Sequence, residues 1–420
     1  MTNSKCLSQD SYDLPIAGAD AAAARGYDAY VREFISYGSQ LRDLFKVADA
    51  YDGAPLINAH AAALHLAFEG AEGWANAAPY IARMRTARRQ GSAREQLFCD
   101  AVDAWADKNF HGALKALDEL TVRWPADICA IKWGQYHAFN LGDQAALLRF
   151  GRRAAIVHED APYAHGMIAF ALEQNHDLSA AHEEGVRAVE IAIDDAWAHH
   201  AVAHVFETRG EAADGARWLD RCAHTWDGKG VFIRDHNWWH AALFRLSLGD
   251  EAGALAIYDA RLWGEWPEFP QEQIGAVSML WRLEMRGLNV GARWEPVVAE
   301  VRKRAGERIF PFHDIHYLYA LARAGAPGEA EAMLRSIDEK AARCCHRTAT
   351  AWRAALLPAA RGALAFARGR FDEAAAALGE ADPHLQQIGG SHAQRHLFAE
   401  ARAFAEERRS AEGTIRAANE

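Results

Sequence analysis

In the stretch DDAWAHHAVAHVFETRG, His200, His204 and Glu207 stand at i, i+4 and i+7, which on a helix places them along one stripe. The device repeats in RDHNWWHAALFRLSLGD, where His236 and His240 are again four apart, with Asp235 and Asn237 beside them. Two imidazoles at i,i+4 form the spacing by which a helix offers two nitrogen ligands to one metal ion. A third stretch, FPFHDIHYLYALARAG, adds Asp314 and His316. With a divalent Zn, Fe or Mn ion, His200, His204, His236 and His240 are the expected ligands, and Glu207 or Asp314 would orient them or serve as base toward bound water. With no metal, His200, Glu207, Asp314 and His316 form a catalytic set for acid–base work near neutral pH, His316 pairing with Asp314. The plain alternative is packing: the chain holds 20 histidines, and a lone inner histidine is more often a hydrogen-bonded packing residue than a ligand.

Near the C-terminus, QQIGGSHAQRHLFAEARAF sets a Gly389-Gly390-Ser391 turn before a helix that carries Gln394 and Arg395. Exposed backbone N–H groups at a helix start, with an arginine nearby, make a receptor for a carboxylate or another anion. The alternative is an ordinary Ser N-cap behind a Gly turn. Cys344, Cys345 and His346 are adjacent rather than spaced, which suits neither a zinc knuckle nor a catalytic thiol. No Walker loop, dinucleotide fingerprint or GxSxG elbow is present.

The elements that must position these residues are helical. Ala, Leu, Glu and Arg dominate and the Val/Ile/Thr alternation of strands is almost absent, so the fold class is all-α. Helix-breaking turns recur at KNFHG, NLGDQ, QNHDL, TRGEA and SLGDE, marked by His111, Asp143, Asp177, Glu211 and Asp250. The three central markers are 34 residues apart, the tetratricopeptide period of one helix-turn-helix per repeat. The reading is a loose segment over 1–17, then one tetratricopeptide-like α-solenoid over 18–420, its repeats clearest over 92–262 and its hairpins irregular over 263–420. Pro358 should start or kink a helix.

In such repeats the first helix of each pair lines the inner face. Lys132, Gly166 and His200 then fall in one column and Tyr136, Phe170 and His204 in the next, with room expected beside the glycine. Lys132, Asn237, Ser391, Gln394 and Arg395 are the candidate substrate-binding residues. At least one of Trp238 and Trp239 should be core.

The formal net charge of −11 argues against a general phosphate-backbone binder. The arginines of ARMRTARRQ read as a solvated helix end. Six scattered cysteines without CxxC pairs fit a reducing cytoplasm. No secretory leader and no apolar run of about 18 residues is found, so neither membrane insertion nor export is expected.

The chain resembles the tetratricopeptide repeat protein 38 family over nearly its whole length, in AREQLFCDAVDAWADKNF, DDAWAHHAVAHVFE, HNWWHAALFRLSLGDEAGALAIYD, SMLWRLEMRGLNVGARW, HDIHYLYALARAG and GGSHAQRHLF. The resemblance implies a single tetratricopeptide-like solenoid, and it carries no settled activity. By the same resemblance, motif positions fall on His60, His200, His204, Glu207, His236, His240, Asp314, His316, Gly389, Gly390, Ser391, Gln394 and Arg395, while His199, His313 and His392 look like local additions. The functional expectation is a His-rich pocket for a small polar, anionic molecule, closed by the C-terminal segment folding back. The competing one is a scaffold whose groove binds a protein or peptide.

Overall fold

The computed structural model describes residues 8–419, and it is almost wholly helical. The chain packs as two compact units, Met1–Phe139 with Asp143–Asn237, and Asn140–Gly142 with Trp238–Glu420.

The first unit opens with a two-stranded antiparallel pair, β1 (Ser8–Gln9) and β2 (Pro15–Ile16), in the register Ser8↔Ile16. The segment is tied down by buried charge. Arg94 donates to Asp127 at 2.9 Å and to the carbonyl of Pro15 at 2.8 Å, with Asp10 3.7 Å away, and the Ala17 N–H donates to Glu95. The expectation of a loose start is therefore corrected for residues 8–17; residues 1–7 lie outside the described residues. The helices that follow are α1 (Ala21–Ser36), α2 (Asp43–Ala50), α3 (Pro55–Leu66), α4 (Ala71–Ala87), α5 (Ala93–Ala106), α6 (Phe110–Arg123), α7 (Ile128–Asn140), α8 (Gln144–Val157), α9 (Ala164–Gln174), α10 (Leu178–Ile191), α11 (Ala196–Arg209) and α12 (Ala212–Cys222). Then α13 (Val231–Ser247) runs past the last residue of this unit. The second unit holds α14 (Glu251–Ile257), α15 (Pro270–Met285), α16 (Trp294–Arg304), α17 (Pro311–Ala324), α18 (Glu329–Arg343), α19 (Leu357–Ala367), α20 (Phe371–Ala381) and α21 (His392–Asn419).

The turns between paired helices share one construction. A residue at positive φ ends the first helix and the next residue caps the second: Lys108–Asn109, Gly142–Asp143, His176–Asp177, Gly210–Glu211 and Gly249–Asp250. The side chains of Asn109, Asp143, Asp177 and Asp250 accept from the N–H three residues on, satisfying one orphan donor of each following helix. The first marker is thus Asn109, not His111, and Asn109, Asp143, Asp177 and Glu211 follow one another at 34 residues. The slip has a physical cause: at KNFHG the left-handed position is held by Lys108 (φ 58°) rather than by a glycine. Pro358 does open α19, directly after a π-helical stretch over Thr350–Leu356.

Second helices of the pairs are one-sided. The helix α10 buries only Ala181, Gly185 and Ala188, whereas every residue of α9 is buried. Alternate helices also pack side by side, α9 on α11 in the first unit, α15 on α17 and α17 on α19 in the second. The helices that carry candidate chemistry are therefore apolar nearly all round and covered on several sides.

Candidate metal centre

Helices α11 and α13 bring the two histidine pairs together. One ring nitrogen from each of His200, His204, His236 and His240 lies within 4.8 Å of the others. His200, His204 and His240 are buried and His236 is half-buried. The Nε2 atoms of His200 and His204 are 2.9 Å apart. Tetrahedral zinc with Zn–N bonds near 2.0–2.1 Å holds its nitrogens about 3.3–3.4 Å apart, so this spacing needs only a small opening. The i,i+4 register sets that pair, and α13 supplies His240 one turn beyond His236.

Aromatic rings line the group. Trp197 and Phe170 lie 4.5 and 5.3 Å from the His200 ring, and Phe232 stacks on His236 at 5.7 Å. Burial, reinforced by repulsion from His204, pushes the His236 pKa down to about 3, so its imidazole is neutral and its nitrogen lone pair is available. The donor set suits imidazole-preferring divalent ions such as zinc or iron better than manganese, whose preference is for carboxylate and water.

Of the two carboxylates expected beside these histidines, neither is in the group. Glu207 sits half-buried at the end of α11. Glu173 of α9, fully buried, has its Oε2 3.4 Å from Nδ1 of His204. Sequence reasoning missed it, although it lies one 34-residue period before Glu207, and the column that paired Phe170 with His204 needed only three more residues to reach it.

Asp314 and His316 do not form an acid–base pair, which corrects that expectation. Two residues apart on α17, they point to different sides. Asp314 is paired with Arg308, and burial raises its pKa to about 6. His316 has Nδ1 2.8 Å from the Phe312 carbonyl and packs between the rings of Phe312 and Phe398. Burial holds its pKa down to about 3, too low for a base working at neutral pH.

Lys132 is a packing cation. Its Nζ donates to the carbonyls of Phe34 and Ile35 at 2.5 and 3.2 Å and lies 3.3 Å over the Tyr37 ring, closing the C-terminus of α1. The room expected beside Gly166 is taken by Asp195, whose Oδ2 would be 2.8 Å from an added Cβ. Asn237 donates to the Ala196 carbonyl at 3.1 Å, tying α13 to the start of α11. His60 is likewise structural, with the hydroxyls of Tyr27 and Tyr30 at 3.0 and 3.1 Å from its two nitrogens.

At the C-terminal turn the capping alternative describes what is seen. The Ser391 N–H donates to Gln394 Oε1 at 2.9 Å and the Gln394 N–H to Ser391 Oγ at 3.2 Å, a reciprocal capping box. Arg395 donates to the carbonyls of Gly389 and Gly390 and so fastens the turn itself. A Cβ on Gly390 would be 2.6 Å from Phe312, so the segment is pressed against α17 in the second unit. In that unit Arg282 also donates to the Ala393 carbonyl while lying over the Trp239 ring, which linked the segment to α13; Trp239 is core, as one tryptophan of the pair was expected to be.

Among the described residues no helix is long and apolar enough to cross a membrane. No protein-family model matches the chain.

Proposed function

We propose that this protein is a tetratricopeptide-like helical repeat protein of the cytoplasm that holds one divalent first-row metal ion on His200, His204, His236 and His240, and binds a small polar, anionic molecule there. The observation that carries the reading is the convergence of four imidazole nitrogens within 4.8 Å from two helices. The 34-residue spacing of the capping residues supports the repeat assignment, and the resemblance to the tetratricopeptide repeat protein 38 family goes with it. Imidazole ligands bring no charge of their own, so an ion of charge +2 in this buried place favours an anionic ligand. The chain's own residues hold and orient; the bound ion would supply Lewis acidity.

Elemental analysis of untagged protein purified without chelators is expected to give about one equivalent of metal per chain, on the four-ligand site. A His204→Ala His240→Ala double variant should retain the helical circular dichroism and lose the metal. Metal-free protein whose melting temperature does not respond to added zinc, iron or manganese would refute the proposal.

A further inference from the structure

Glu173 is a fully buried carboxylate that the four-histidine reading leaves without a role. Two of its contacts come from neutral side chains: Thr208 donates from Oγ1 to Oε1 at 3.3 Å and Gln174 donates from Nε2 to Oε2 at 2.5 Å. The same Oε2 lies 3.4 Å from Nδ1 of His204, within ion-pair range though outside hydrogen-bond geometry, on the side of the ring away from the Nε2 that meets His200. A buried carboxylate is costly unless positive charge lies within reach. An imidazole that donates Nδ1–H to a carboxylate is fixed in the tautomer whose Nε2 lone pair is free to ligate.

We infer that Glu173 is the positioning residue of the centre, fixing His204 in its Nδ1–H tautomer and supplying counter-charge for a divalent ion. This rests on the metal reading above. Thr208 and Gln174 keep the carboxylate from turning away. The role follows from the repeat: α9 and α11 are adjacent alternate helices, so a side chain late in α9 backs a histidine midway along α11. Removing the charge while keeping the shape should therefore weaken metal binding without unfolding the protein.

The test titrates wild type, Glu173→Gln and Glu173→Asp with Co²⁺, read by its visible absorption, and with Zn²⁺ by competition. Glu173→Gln should bind both ions about 10- to 100-fold more weakly, the loss typical of a carboxylate behind a metal-ligating histidine. Glu173→Asp should recover part of that loss, and both variants should keep the wild-type helical spectrum. Unchanged affinity in Glu173→Gln overturns the positioning role and leaves the metal centre standing; wild type that binds neither ion overturns the metal centre itself. An independent readout needs no variant: ¹⁵N resonances of zinc-loaded wild type should show His204 protonated at Nδ1. Protonation at Nε2 would refute the inference even if Glu173→Gln failed to fold.

Discussion

At the scale of single residues, the chemistry of a side chain here is decided by what it faces, and residue type alone misleads. Lys132 and His200 stand two 34-residue periods apart, and both were candidates for binding. One reaches two backbone carbonyls and an aromatic ring, the other reaches three imidazoles. Burial holds the Lys132 ammonium well below the usual lysine range, so its place depends on those carbonyls. Replacing Lys132 with Met keeps most of the stem's volume and leaves the last carbonyls of α1 without their donor. The expected outcome is a loss of about 2 kcal/mol in urea unfolding, with zinc affinity of the folded protein unchanged. A variant that is fully stable but binds metal or anion more weakly would return Lys132 to the site.

At the scale of elements, the turns were the most legible feature and the C-terminal helix start the most ambiguous. The Asp and Glu caps at 143, 177 and 211 gave the repeat because each follows a left-handed residue, but Lys108 and His176 adopt that conformation without a glycine to announce it. The i,i+4 histidines were legible because a helix fixes their common face; Glu173 was not, because its role depends on which helix packs against α11. In GGSHAQR, the Ser and Gln three apart spell a capping box as plainly as an anion receptor, and only the hydrogen bonds separate the two. Ser391→Ala should therefore cost about 1 kcal/mol of stability, the usual price of a lost N-cap, with metal binding intact. Arg395→Ala should likewise weaken folding more than ligand binding, since its guanidinium holds the Gly389 and Gly390 carbonyls. Denaturation midpoints set beside zinc titrations check both, and a selective loss of binding in either would revive the receptor.

For the molecule as a whole, covering helices on several sides buries many histidines in their neutral form, and this ties stability to pH. His137 packs against Trp105 at 4.4 Å, and burial lowers its pKa from 6.5 to about 3. The unfolded chain therefore takes up a proton at this position below pH 6.5 that the folded chain refuses until about pH 3. Through that window the unfolded state binds more protons, and stability falls as the pH falls. His199 and His316 act in the same direction, with pKa values pushed by burial to about 4 and about 3. Asp195 and Asp314 act oppositely: burial raises each from 3.8 to about 6, so between those values the folded state holds the extra proton and acid stabilises it. The two kinds of variant must then move the stability–pH curve in opposite senses. His137→Phe should make the acid-side fall between pH 6 and pH 4 shallower by about 1.4 kcal/mol per pH unit, one proton's worth. Asp314→Asn should make it steeper, because the compensating proton uptake is gone. Urea midpoints of metal-free protein at half-unit steps from pH 7 to pH 4 measure both slopes; parallel curves for His137→Phe and wild type would mean that the His137 imidazole is protonated within the fold.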